Sequence, residues 1–406
     1  MTAPLRVMVV DDTITYRMIM KNVAESIPGV QVVTSANNGR VALEKVQRDK
    51  LDVVLLDVEM PVMDGLETLK HLTANHPEIT VVMVSGTSRS NANIILDCLG
   101  AGALDFVTKP VESNATRAKE ALRQDLEPIL SVIRQKRAGG KPAAPNRIAA
   151  LGTDRSVRPA AAPVAPAPAP HRTPVRTPVP PPPAPPVTQV RGTGPAANHS
   201  AIPHPRPANG RTVKPVAPDL LLIGSSTGGP AALAKVLSTI GRRLTVPGLI
   251  VQHMPPVFTA SLALQLSRSS GLEVLEAQEG LRLQPGRIIL AQGGRHMTLR
   301  QGAQGLEVGL NDGPKVNECR PAVDVLFMSA LAAAPGHTLS VILTGMGRDG
   351  ANGVKALKQS GKNYCLTQDE QSCVVFGMPR SVEEMGLSDE SLPLDRIGPR
   401  IVEICG

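Results

Sequence analysis

The stretch Asp219–Leu237, DLLLIGSSTGGPAALAKVL, joins an apolar run, a bend of small residues and a helix-periodic segment. Leu220–Ile223 reads as a buried strand. Pro230 suits a first helical turn, after which Leu233, Val236, Leu237 and Ile240 repeat at helical spacing. Three readings of the bend compete: a phosphate cradle, a plain tight turn, or a loop presenting one nucleophilic hydroxyl. Gly224, Ser226 and Gly228 fit G-x-S-x-G and set Ser226 close to the positive end of the following helix. So short a pattern is weak alone, because many glycine turns contain serine. The choice depends on partners elsewhere in the chain.

Outward from this bend the same alternation repeats. "GLIVQH", "RIILAQ", "SVILTG" and "CLTQ" read as further strands with helical patterns between them. An N-terminal module repeats the theme in "RVMVV", "VQVVTS", "DVVLLD", "TVVMVS" and "ALDFVTKP". Continuous apolar strands separated by helices imply parallel sheets covered on both faces. The fold class is therefore α/β, two doubly wound parallel-sheet domains. In such sheets chemistry gathers beyond the carboxyl ends of strands.

Between the modules, residues 138–216 hold more than half of the chain's 38 prolines and few bulky apolar residues. Such a segment cannot bury enough surface to fold, so a disordered Pro/Ala/Arg-rich linker is expected there. A docking site for a proline-recognising module is the lesser reading. The domains expected are 1–137, the linker 138–216, and 217–406. The linker also explains the charge. From Arg134 to Lys214 there are thirteen Lys/Arg against the single acid Asp154, a +12 segment that leaves −4 for the rest of a +8 chain. No aromatics interleave with those cations, which argues against nucleic-acid binding. The five cysteines (98, 319, 365, 373 and 405) form no C-x-x-C pair, which argues against a disulfide framework or a zinc site and for a reducing compartment. No apolar run approaches a membrane span, and a soluble, cytoplasmic protein without membrane insertion is expected.

In the N-terminal module, polar residues fall at four strand ends. They are Asp11 and Asp12, Asp57, Ser85, and Lys109 followed by Pro110. Three converging carboxylates repel unless a cation sits among them, and oxygen ligands suit Mg2+. A lysine beside them suits a phosphoryl group on one carboxylate. With "LLDVEMPVMDG" and "TKP" in register, residues 5 to about 130 resemble a two-component receiver domain, of flavodoxin-like fold. The resemblance implies Asp57 as phosphoacceptor, and Mg2+ held by Asp11, Asp12 and Asp57 with the Glu59 backbone. It implies Ser85 as switch hydroxyl, Phe106 as aromatic switch position and Lys109 as phosphate partner.

For the C-terminal module, a nucleophile at Ser226 needs a base and an orienting acid. Of the histidines, His253 ends the next strand at the same sheet edge. His296 precedes its strand, and His337 lies in a loop before one. Asp349 follows "SVILT" in a glycine-rich loop, whereas the rival acids Glu318 and Asp324 follow no such strand. "IGSSTGGP", "QHMPPVFT", "NDGPKVNECRPAVDVLF", "VILTGMGRDGANG" and "SCVVFGMP" together resemble the catalytic domain of the chemotaxis protein-glutamate methylesterases, a Rossmann-like fold, across nearly all of 217–385. By that resemblance Ser226 is the nucleophile, His253 the general base, Asp349 the orienter and the Met346 amide an oxyanion donor. Position 225 is commonly Ala in that family, so Ser225 is a departure, and the flanking "STGG" aligns Ser226 with the nucleophile.

Two rival patterns fail. "GMGRDG" fits G-x-G-x-x-G, but on a late strand and with Asp349 facing any pyrophosphate. The order Ser226, His253, Asp349 is not the Ser, acid, His order of α/β-hydrolases. No helix-turn-helix pattern follows the linker, against a transcription factor. With both modules, the resemblance implies a chemotaxis response regulator. It would hydrolyse glutamyl methyl esters on methyl-accepting receptors and deamidate receptor glutamines, without an esterase cofactor. Phosphorylation by a chemotaxis histidine kinase would relieve a receiver packed over the cleft, the long linker weakening that inhibition. The alternative is a phosphorylation-controlled binding or esterase-like protein of a non-chemotaxis pathway.

Overall fold

The computed structural model describes residues 3–110, 115–137, 215–334 and 336–405. The linker expected at 138–216 lies outside the described residues except for its last two positions.

The N-terminal module runs β1 (Leu5–Val10), α1 (Ile14–Ser26), β2 (Val30–Ala36), α2 (Gly39–Val46), β3 (Val53–Asp57), α3 (Gly65–Asn75), β4 (Thr80–Ser85), α4 (Arg89–Gly100), β5 (Asp105–Thr108) and α5 (Ala115–Arg137). Its five strands are parallel in the order β2-β1-β3-β4-β5, the flavodoxin-like order. Period-two alternation sends Met8 and Val10 to one face, where Leu69, Leu72 and Ile95 of α3 and α4 pack. Val7 and Val9 go to the other face, against Met20 and Val23 of α1 and Leu122 and Leu126 of α5. Asn38, Asp64 and Ser88 cap α2, α3 and α4 by accepting the amides of Val41, Glu67 and Asn91. Asp64 of the "MDG" segment is thus engaged as a helix cap.

The C-terminal module runs β6 (Leu220–Ser225), α6 (Gly229–Ile240), β7 (Gly248–Gln252), α7 (Phe258–Ser270), β8 (Glu273–Glu276), β9 (Arg287–Leu290), β10 (His296–Gly302), β11 (Gly305–Asn311), α8 (Val323–Ala333), β12 (Thr338–Ile342), α9 (Ala351–Gln359), β13 (Asn363–Gln368), α10 (Met378–Glu384), β14 (Glu390–Leu392) and α11 (Leu394–Cys405). Seven parallel strands follow the order β14-β13-β12-β6-β7-β9-β8. Patterning identifies β6, β7, β9, β12 and β13. It misses the short strands β8 and β14 at the two edges, which carry charged residues and little apolar signal. It reads a strand after His296 but misses β11 and the antiparallel hairpin it makes with β10 apart from the main sheet, and His296 is itself the first residue of β10. The chain leaves β6 toward β7 on one side and returns to β12 on the other. The strand order therefore reverses between β6 and β12, which is where doubly wound sheets place their ligands.

Candidate functional site

The structure separates the two serines of the bend. Ser225, the last residue of β6, is fully buried and donates its hydroxyl to Gln252 Oε1 at 2.7 Å. Gln252 Nε2 in turn donates to the carbonyls of Ser226 (2.9 Å) and His253 (3.0 Å), tying the ends of β6 and β7 together. Ser226 donates its amide to Thr344 O at 3.0 Å, is partly exposed, and its hydroxyl has no hydrogen bond among the described residues. The glycines are obligatory here. Gly228 sits at φ +76° with Val374 2.5 Å from where a Cβ would stand, and a Cβ on Gly229 would collide with Gln252 Oε1.

His253 directly follows β7, and its Nε2 lies 2.8 Å from Asp349 Oδ2. Asp349 is 2 % exposed and accepts from every side: Val323 N (2.6 Å) on Oδ2, and Asn317 Nδ2 (2.8 Å), Asp324 N (3.1 Å) and Gly350 N (3.1 Å) on Oδ1. Burial alone would raise this carboxyl, but the bond to His253 and these amides hold it below the ordinary range. Burial likewise works to lower His253. The Asp349 bond, joined by a Cys319 contact, outweighs it and lifts the imidazole to about 9. Its second nitrogen, Nδ1, faces Cys319 Sγ at 3.4 Å. No hydrogen bond joins Ser226 to His253 among the described residues.

Asp324 does not touch the histidine. It accepts from Gly350 N, Gly353 N, Asn317 and Asn352, fixing the loop that carries Asp349, and burial raises its carboxyl. Glu318 is exposed, His296 is buried with Nε2 2.9 Å from Pro314 O, and His337 precedes β12. The sequence reading missed Gln252, Asn317 and Cys319. Gln252 was open to it, as the polar residue at the end of a buried strand. Asn317 was not, because it reaches both carboxylates from an irregular loop at φ +51°.

Oxyanion donors must be amides without partners. The Met346 amide has no hydrogen bond among the described residues and follows Gly345, whose added Cβ would stand 2.8 Å from Ser226 Cβ. The Thr227 amide, in the turn before α6, is also without a partner among them and follows Ser226 directly. The sequence reading named Met346 and omitted Thr227.

In the N-terminal module, Lys109 Nζ lies 2.8 Å from both Asp11 Oδ2 and Asp57 Oδ2 and 4.9 Å from the Tyr16 ring centre. Burial pushes the Asp57 carboxyl up to about 6, with Lys109 acting against it. The Asp11, Asp12 and Asp57 oxygens lie within 4.8 Å of one another. Three carboxylates against one ammonium leave net negative charge in an all-oxygen donor set, which fits Mg2+. Ser85 at the end of β4 is buried and donates to Gly86 O, while Glu59 is exposed one residue beyond Val58.

The two sites are physically joined. The Phe106 ring packs on Phe258, at the start of α7, with centroids 4.6 Å apart. Burial raises the Asp105 carboxyl to about 6, with the Thr227 hydroxyl beside Ser226 acting against it. Asp125 of α5, itself acted on by Lys315, pushes it the same way as burial. The closed contact therefore prefers the protonated acid. It is at full strength below the ordinary carboxylate range and weakens as pH rises through about 6. We expect the activity of unphosphorylated wild type, divided by that of Asp105→Asn, to rise between about pH 5 and 7. A flat ratio would contradict this contact.

Comparison with known proteins gives two matches to family models, CheB methylesterase over residues 221–401 and response regulator receiver domain over residues 7–120. A protein-glutamate methylesterase/protein-glutamine glutaminase of Desulfotalea psychrophila is 37 % identical over 98 % of this chain and 98 % of its own. One from Rhodopseudomonas palustris is 40 % identical over 99 % and 94 %. The crystal structure of the Thermotoga maritima CheB methylesterase catalytic domain matches with 39 % identity over 47 % of this chain and all of its own, with a TM-score of 0.45.

Proposed function

The chain belongs to the protein-glutamate methylesterase/protein-glutamine glutaminase family, and from that premise we propose that it hydrolyses glutamyl methyl esters on chemoreceptor helices and deamidates glutamines there, under control of its receiver. The carrying observation is the His253–Asp349 bond beside Ser226, each residue following its own strand of β6, β7 and β12. In the reaction, neutral His253 takes the Ser226 proton at Nδ1 while Asp349 holds Nε2–H. Ser226 Oγ adds to the ester carbonyl, and the resulting oxyanion meets the Met346 and Thr227 amides. The proton passes to the departing methoxide, methanol leaves, and water, deprotonated in the same way, frees the glutamate and Ser226. With glutamine as substrate, the leaving group is ammonia.

In the receiver, Asp57 is the phosphoacceptor in this reading and Lys109 pairs with the incoming phosphoryl oxygens. Asp11, Asp12, Asp57 and the Glu59 carbonyl would hold Mg2+, which when bound neutralises charge on those oxygens. A chemotaxis histidine kinase is the phosphodonor. Ser85 and Phe106 are the switch positions, and Phe106 lies against Phe258, so its movement bears directly on α7. Phosphorylation then has to favour the open arrangement over the closed one. The same reading divides the chain into a receiver (1–137), a linker (138–216) and a catalytic domain (217–406). No helix of the described residues is long and apolar enough to cross a membrane, and the reaction is assigned to the cytoplasm.

Methanol release from methylated receptor membranes tests this, with and without a phosphodonor. We expect the phosphodonor to raise the rate in wild type and to leave Asp57→Asn unstimulated and unlabelled by phosphate. Equal stimulation of both proteins would remove Asp57 from the account.

A further inference from the structure

Cys319 lies outside every step above, yet it stands against the free nitrogen of the catalytic imidazole. Its Sγ is 3.4 Å from His253 Nδ1. On a tetrahedral zinc-type ion, with bonds of about 2.3 Å to sulfur and 2.0–2.1 Å to nitrogen, two such ligands stand about 3.5 Å apart. The pair is thus spaced as one edge of a metal tetrahedron.

The other ring nitrogen supports the same reading. Asp349 Oδ2 sits 2.8 Å from Nε2, the position of the outer carboxylate that orients a metal-bound histidine. It fixes the proton on Nε2 and leaves Nδ1 as the ring nitrogen with a lone pair to give. The atoms of His253, Cys319 and Asp349 lie within 4.8 Å of one another. The sulfur is also reachable. Cys319 is partly exposed, whereas Cys98, Cys365, Cys373 and Cys405 are all buried. Spacing along the chain could not disclose the pair, because 66 residues separate its members.

We propose that Cys319 and His253 form a binding site for a thiophilic d10 divalent cation, zinc or cadmium, whose occupancy silences the esterase. The ion bonds Cys319 Sγ and His253 Nδ1. The thiol proton, and any proton on Nδ1, pass to solvent, and water completes the shell. The imidazole lone pair that would accept the Ser226 proton is then committed to the metal. Binding stands apart from the esterase reading, while the silencing rests on it.

Titration of the full chain with cadmium, under excess Mg2+ to fill the all-oxygen receiver site, tests the two halves separately. A thiolate-to-cadmium charge-transfer band should grow to one equivalent in wild type and be absent in Cys319→Ser and Cys319→Ala. Asp349→Asn should retain the band with affinity weakened by about 10- to 100-fold. Absence of the band in wild type, or its persistence without Cys319, overturns the site. In parallel, zinc should inhibit methanol release by wild type reversibly to chelator, with the midpoint at least about tenfold higher in Cys319→Ser. Equal inhibition of both proteins overturns the silencing. A normal band in a wild type that releases no methanol before zinc is added would instead count against the esterase reading.

Discussion

Replacing Ser226 by Ala should lower methanol release by on the order of 10⁴- to 10⁶-fold, because the members of a nucleophile–base pair act as a unit. The same change one residue earlier should behave differently. Ser225 is fully buried with its hydroxyl on Gln252 Oε1, so Ser225→Ala leaves that oxygen without its donor. The expected cost is about 1–3 kcal/mol of stability, read as a lower denaturant midpoint, with activity retained. In Ser226→Ala no described hydrogen bond is lost, so folding and Asp57 phosphorylation should both survive. Two adjacent serines thus yield opposite phenotypes, one kinetic and one thermodynamic.

Asp349→Asn should cost on the order of 10⁴-fold in turnover, since an amide cannot hold the imidazole tautomer that a carboxylate holds. Here the geometry adds a structural penalty. All five groups reaching Asp349 are donors: His253 Nε2 and Val323 N on Oδ2, and Asn317 Nδ2, Asp324 N and Gly350 N on Oδ1. Either orientation of an Asn amide turns its NH2 against at least two of them. The variant should therefore also lose stability, by about 1–3 kcal/mol for the donors left unpaired. Turnover near wild type in a folded Asp349→Asn protein would remove this acid from the mechanism.

The parallel sheets and the strand-end positions of Asp57, Ser226, His253 and Asp349 could be read from the sequence because continuous apolar strands mark their own ends. The strand-order reversal between β6 and β12 could not, since linear order does not state lateral order. Edge strands such as β8, with only Val274 and Leu275 as apolar residues, carry too little pattern to register. The groups that set the state of the site came from irregular backbone. Asn317 and Glu318 both take positive φ in the loop that delivers Cys319, and no periodicity encodes such a loop. Thr227 was present in the motif, but its influence on Asp105 depends on how the modules pack.

The central claim is that the Ser226 hydroxyl is the nucleophile although His253 Nδ1 faces Cys319 in this arrangement. A fluorophosphonate, which forms a stable phosphorus–oxygen bond with an activated serine as fluoride leaves, tests it most directly. After reaction with the phosphodonor-treated full chain, peptide mass spectrometry should place the adduct on Ser226, with none in His253→Ala. An adduct on Ser225 or Cys319, or labelling of Ser226 that persists without His253, would contradict the account.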